Sequence, residues 1–344
     1  MTHRSTPTPR SVSHRNLGRT TALVLMAGLL AGCAATHRLP DPELPSAPIE
    51  LTTTPFHPQE SYQCGPAALA TVLQTAGVDV SPEALVEQVW LPERRGSLQI
   101  ELVAATRRHG RVAYTIVPEF EALIAELEAG RPVLVMQNLG LNLIPLWHFA
   151  VVIGFEPENK TVLLRSGTTE RETMRLNRFL RSWQRAEYWA MVALEPGQLP
   201  ATPDRRRYLS AVADLEHRGA THAAARSYQA WLDQHPDDPI ALFGNANSLA
   251  AAGDNDGAEA VLRHLLAQRP DDAAAMNNLA QVMLRRGCPD AAVEVLETAR
   301  AQPGLSPRLA SALESSLAAA LASEPDPEAD CGAGIRGDGR RAAR

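Results

Sequence analysis

The chain has 344 residues, with 33 Lys and Arg against 39 Asp and Glu, for a formal net charge of −6. That length holds two domains with tails, and an acidic balance without a visible basic stripe excludes nucleic acid as a partner. Cysteine occurs only 4 times, each in a different local context, which argues against a disulfide framework.

The amino-terminal segment is basic and then apolar. Arg4, Arg10, Arg15 and Arg19 stand without acidic neighbours, and an apolar run from Ala22 to Leu30 follows, too short to remain as a membrane span. It ends in Leu30-Ala31-Gly32-Cys33, which resembles the lipobox of bacterial lipoproteins. The resemblance implies that residues 1–33 are a lipoprotein signal peptide and that Cys33 carries lipid, holding the mature chain in the cell envelope. An ordinary secretory signal is the alternative. Ala34, where an aspartate would favour inner-membrane retention, points by analogy to the outer membrane, facing the periplasm. Residues 34–54 carry Pro40, Pro42, Pro45 and Pro48 without apolar period and read as an extended tether.

Residues 55–195 mix helical and strand periods. Helices are predicted to begin at Cys64, at the cap Ser81 before Pro82, at Ser97 and at Glu119, with Gly77, Gly110 and Gly130 as stops. Strands are predicted at Val112–Val117, Pro132–Met136, Phe149–Ile153, Thr161–Leu164 and Trp189–Ala193. Helices first and an antiparallel sheet later define an α+β domain. The apolar stretch Leu139–Leu146 is either a lid over a groove or a buried crossing, with the lid favoured.

Beyond Pro196-Gly197-Gln198-Leu199-Pro200 the composition turns to Ala, Leu and Arg with helical periodicity. Gly219, Gly253 and Gly287 recur every 34 residues, as do Ala224, Ala258 and Ala292, and His235-Pro236-Asp237-Asp238 returns as Arg269-Pro270-Asp271-Asp272. A helix–turn–helix unit of this period resembles the tetratricopeptide repeat. Residues 204–322 therefore read as an all-α array of about three repeats, with a capping helix from Leu305 to Ala322, offering a surface to a peptide or protein partner. Cys288 falls in an inter-helix turn as a structural position. Residues 323–344 read as a disordered tail in which Cys331 is an incidental thiol.

Chemistry concentrates in Gln59-Glu60-Ser61-Tyr62-Gln63-Cys64-Gly65-Pro66. Pro66 suits a helix start, where its missing N–H has no partner. The N–H groups there favour a thiolate at Cys64. A thiol nucleophile needs a base, and His148 in Trp147-His148-Phe149-Ala150-Val151-Val152-Ile153-Gly154 opens an apolar strand and is the strongest candidate, ahead of His57 and His109.

Together the two motifs resemble the papain-like cysteine peptidases of the double-glycine, bacteriocin-processing type, and more closely their stand-alone lipoprotein relatives fused to tetratricopeptide repeats. The resemblance implies Cys64 as nucleophile, His148 as general base and acid, and Gln59 as oxyanion donor beside the Cys64 N–H, with Gln63 a weaker rival. It also implies a peptide or protein substrate, with no metal or cofactor. The family places an aspartate after the histidine strand. Here Val162-Leu163-Leu164-Arg165-Ser166-Gly167-Thr168 has no carboxylate, and Ser166 stands at about that position, with Glu170 and Asn138 as further candidates to orient the imidazole. No Gly-rich Lys-Ser/Thr phosphate loop occurs, so this chain carries no ATP site. A binding protein without turnover and a Cys–His amidase or acyltransferase acting on cell-wall peptides are the other readings.

Overall fold

A computed structural model describes residues 44–58, 63–94 and 96–331. The expected signal peptide, Cys33 and most of the tether lie outside the described residues. Among the described residues no helix is long and apolar enough to cross a membrane.

The first part of the described chain is one antiparallel sheet with helices on both faces. β1 (Ile49–Glu50) leads into α1 (Cys64–Thr75), α2 (Pro82–Val89) and α3 (Gln99–Arg108). Then come β2 (Val112–Thr115), α4 (Phe120–Glu128), β3 (Val133–Asn138), β4 (Trp147–Glu156), β5 (Thr161–Ser166), β6 (Thr169–Arg175), α5 (Leu176–Gln184) and β7 (Ala190–Leu194). The strand order is β2-β7-β3-β4-β5-β6, with β1 added to β4. Central strands are apolar on both sides because both faces are covered. Val133, Val135, Ala150, Val152 and Leu164 turn toward α4, α5 and the repeats, while Leu134, Met136, Phe149, Val151 and Leu163 turn toward α1 and α3. Ser81 caps α2 by accepting the Ala84 N–H, and Gly77, Gly110 and Gly130 end the helices before them with φ of 76°, 68° and 77°.

β1, β6 and α5 were absent from the sequence expectation. β6 is an exposed, charged edge strand, Thr-Glu-Arg-Glu-Thr-Met-Arg, with one buried side chain, Met174. β1 is pinned against β4 where only glycine fits, since a Cβ on Gly154 would lie 2.2 Å from the Ile49 carbonyl oxygen.

The helical array runs α6 (Arg205–His217), α7 (Thr221–Leu232), α8 (Pro239–Ala251), α9 (Asn255–Gln268), α10 (Ala273–Arg285), α11 (Pro289–Arg300) and α12 (Pro307–Ala322). These are three pairs and a final helix, as the 34-residue step predicts. The recurring aspartates are N-caps: Asp238 accepts from the N–H groups of Ile240 and Ala241, and Asp272 from those of Ala274 and Ala275.

Two expectations for this region fail. Cys288 and Cys331 form a disulfide across a sequence separation of 43. Residues 323–331 are folded against the last repeats: the Asp326 N–H donates to the Gly287 carbonyl at 2.9 Å, and Arg286 Nη2 donates to the Asp330 carbonyl at 3.1 Å. The long separation and the polar composition of the segment hid both the pairing and the ordered return. Residues 332–344 lie outside the described residues.

The composition break near Pro196–Pro200 is not a flexible joint. Glu126, fully buried and paired with Arg131, accepts the Ala201 N–H at 2.8 Å. The Tyr114 hydroxyl donates to the Thr202 carbonyl at 3.1 Å and accepts the Asp204 N–H at 3.0 Å. Arg107 pairs with Asp214, and one apolar core runs from the sheet into the repeats.

Candidate active site

The helix that carries the thiol starts at Cys64, as its sequence predicts, and Pro66 falls in the first turn, where its missing N–H has no partner. From Gly65 to Leu73 this helix is buried, so its amino end is held firmly against β4. Gln63 is exposed to solvent, and Gln59 lies outside the described residues. A Cβ on Gly65 would fall 2.2 Å from Ser97 Oγ, so only glycine lets this turn approach so closely.

His148 sits on β4 opposite Gln137 of β3. Cys64 and His148 line the same groove, a cavity of about 1120 Å³ walled by Ser97, Leu98, Met136, Leu146, Trp147 and Arg185 among others. His148 Nε2 lies 2.9 Å from Ser166 Oγ, and Ser166 is only 8% exposed. With Nε2 held by the hydroxyl, Nδ1 is the nitrogen left to exchange a proton. Of the other two orienting candidates, Asn138 is occupied elsewhere and Glu170 turns its side chain to solvent. Asn138 Oδ1 accepts the N–H groups of Gly140 and Leu146, each at 3.0 Å. Glu170 has an exposed side chain, and its carbonyl accepts from Arg165 Nη1 at 2.6 Å. The same buried Arg165 also donates to the Thr52 and Thr54 carbonyls, so it clamps the strand end that presents Ser166 to the entering chain.

The electrostatics run against the expectation of a resident thiolate. Burial pushes the Cys64 thiol up, although the N–H groups of Phe149, Gly65 and Cys64 itself pull the other way. Burial also pushes His148 down, opposed in part by the Glu172 carboxylate on β6. Both shifts favour the uncharged forms, a thiol and an imidazole. A helix start alone does not offset removal of the sulfur from water, and sequence cannot report how deeply the residue sits.

The stretch Leu139–Leu146 is neither a buried crossing nor a closed lid. It is a hairpin continuing β3 and β4, with Leu139 N–H bonded to the Leu146 carbonyl at 2.8 Å and Leu141 paired with Ile144. Its base forms one wall of the groove, and Arg185 fixes it by donating Nε and Nη2 to the Asn138 carbonyl at 3.1 and 2.7 Å. One groove residue and one charge acting on His148 escaped the sequence reading. Ser97, taken as a helix start, lies ahead of α3, and its buried hydroxyl finds no partner among the described residues. Glu172 had no signal, because it belongs to an edge strand without apolar period.

A helix-borne thiol and a strand-borne, serine-held imidazole line one groove on the antiparallel sheet of an α+β domain, here joined to helical repeats. Residues 51–191 match the model of the Peptidase_C39 like family, and residues 217–276 and 249–317 match that of the tetratricopeptide repeat. The chain thus carries a C39-like peptidase domain followed by tetratricopeptide repeats. A solved C39-like peptidase from Bacillus anthracis is 17% identical, over 44% of this chain and 98% of its own, with a TM-score of 0.38. No curated protein matches the chain.

Proposed function

We propose that this chain is a lipid-anchored thiol peptidase of the cell envelope, whose repeats recruit a substrate or partner protein. The observation that carries the reading is the His148–Ser166 bond in the groove that Cys64 shares, within a domain matching the C39-like family. As the Cys64 sulfur attacks a peptide carbonyl carbon, His148 Nδ1 takes the thiol proton and a C–S bond forms. The oxyanion is stabilised by the Cys64 N–H and by Gln59, such fixed donors being worth on the order of 3 kcal/mol each. The imidazolium then gives its proton to the departing amine as the C–N bond breaks, leaving a thioester. Water activated by the same imidazole cleaves the thioester and returns the thiol. Because burial favours the uncharged form of both groups, the proton moves as the sulfur attacks.

Envelope localisation is supported by the lipobox-like Leu30–Cys33 and by the Cys288–Cys331 disulfide, since such bonds persist in oxidising compartments. Incorporation of labelled fatty acid that disappears in Cys33→Ser supports the anchor, and unchanged incorporation refutes it. Among the described residues no carboxylate is bonded to His148, which together with a thiol pushed up by burial favours a second reading in which the groove binds peptides without cleaving them. A peptide-library cleavage screen decides between them. Products formed by the parent and lost in both Cys64→Ala and His148→Ala establish the peptidase, and identical profiles for all three proteins remove it.

A further inference from the structure

The hairpin beside the groove carries more apolar surface than an ordinary solvated turn. Leu143 is 94% exposed, Ile144 76%, Leu141 70% and Leu146 61%, all within one two-residue turn and its flanks. Backbone bonds across the hairpin and the two bonds to Asn138 Oδ1 hold it in shape, so these side chains stay extended in water rather than folding back onto the domain. A contiguous exposed patch of this kind marks a surface made for another phase or partner.

A second feature adjoins it. Arg175, Arg178, Arg181 and Arg185 fall within about 120° of arc on α5 and its flanks at 100° per residue. They lie opposite the face that buries Leu176, Phe179, Leu180 and Trp183. Among the described residues no carboxylate pairs with Arg175, Arg178 or Arg181. Arg185 ends the row by gripping the Asn138 carbonyl at the hairpin base. A chain with a net charge of −6 therefore gathers four arginines into a ridge that leads to an apolar point. The sequence reading found no basic stripe because helical spacing spreads the four across a segment not recognised as a helix.

From this pairing we infer that the β3–β4 hairpin and the α5 arginine ridge form a docking surface for an anionic lipid bilayer. Leu141, Leu143 and Ile144 enter the acyl boundary, and the arginines meet the headgroup phosphates. The chemistry of an interfacial anchor is this combination of a small apolar wedge and flanking cations. A nucleic acid would match the cations but not the leucines, and a neutral apolar peptide would match the leucines but not the cations. Docked this way, the groove opens at the bilayer surface, because the hairpin base is its wall.

The test uses the full chain carrying Leu143→Trp, a substitution at a position already in solvent, mixed with vesicles whose acyl chains are brominated. The expected result is a several-fold greater loss of the added indole fluorescence in phosphatidylglycerol vesicles than in phosphatidylcholine vesicles. Arg175→Gln, Arg178→Gln and Arg181→Gln together should abolish that difference. Circular dichroism of each variant verifies that it is folded. An indole at position 143 that remains open to aqueous iodide on phosphatidylglycerol vesicles overturns the inference. So does equal quenching in both lipids, or arginine-dependent binding of soluble polyglutamate without bromolipid quenching, which would assign the surface to an acidic polypeptide. Cleavage by Cys64 plays no part in these readings, so the two proposals fail separately.

Discussion

Replacing Cys288 and Cys331 together by serine removes the only covalent closure among the described residues. The bond spans 43 residues of sequence, enclosing α11, α12 and the returning segment. For a loop of that length, the entropy the bond removes from the unfolded chain corresponds to about 4 kcal/mol at 25 °C. Cys288 is itself buried at 2% exposure, and the return past Gly287 is further held by the Asp326 and Arg286 bonds, so the paired state fits the native packing. With a urea dependence of about 2 kcal/mol per molar, the loss lowers the midpoint of helix unfolding by about 2 M. Urea titration followed by ellipticity at 222 nm measures this, with mass spectrometry confirming the bond in the parent. Midpoints that coincide in bonded parent and double variant would refute the reasoning. So would ready alkylation of both cysteines in the unreduced protein, since it would mean that the segment does not return.

Ser166→Ala removes one neutral hydrogen bond to the imidazole, about 1 kcal/mol net, and should lower kcat about fivefold while leaving KM unchanged in a cleavage assay. Ser166→Asp should raise the pKa of His148, read by NMR titration of the ring protons, because a carboxylate stabilises the imidazolium as a hydroxyl cannot. The pH dependence follows from burial. His148 titrates below its ordinary value of 6.5, so the acid limb of kcat/KM should lie below pH 6.5. The same shift makes the unfolded chain take up the proton first as pH falls through 6.5, so stability should decline with acidification from there. Alkylation of Cys64 should show no plateau near neutrality and should still rise above pH 9.0, the sulfur being pushed up. Gly154→Ala drives a methyl into the Ile49 carbonyl and should cost about 1–3 kcal/mol, read as a lower Tm.

What could be read from the sequence was whatever has a short-range signature. The 34-residue step fixed the repeats because the turn inside each pair needs a glycine near φ of 78° to 90° and the first helix of each pair starts on an aspartate cap. Cys64 and His148 were legible as motifs at element starts, and Ser166 as the residue standing where a carboxylate was expected. The misses share a cause. Ser97 joins the groove, and Glu172 the surroundings of His148, only through tertiary proximity, and β6 pairs with β5 through its backbone while most of its side chains face water. The disulfide depends on a contact between residues far apart in sequence. The sign of the Cys64 shift needed the depth of burial, which no local pattern encodes.

The entry of the chain into the fold has a mechanical consequence. The first strand, Ile49–Glu50, lies along the far end of β4, the strand whose opening residue but one is His148. Just beyond it, the Leu51 N–H is bonded to the Ile153 carbonyl at 2.8 Å, and Thr52 and Thr54 are gripped by the guanidinium next to Ser166. A pull on the chain ahead of Ile49 therefore loads β4 in shear and tugs on the strand end holding the serine. The imidazole and its hydroxyl partner thus sit in series with whatever restrains the chain ahead of Ile49.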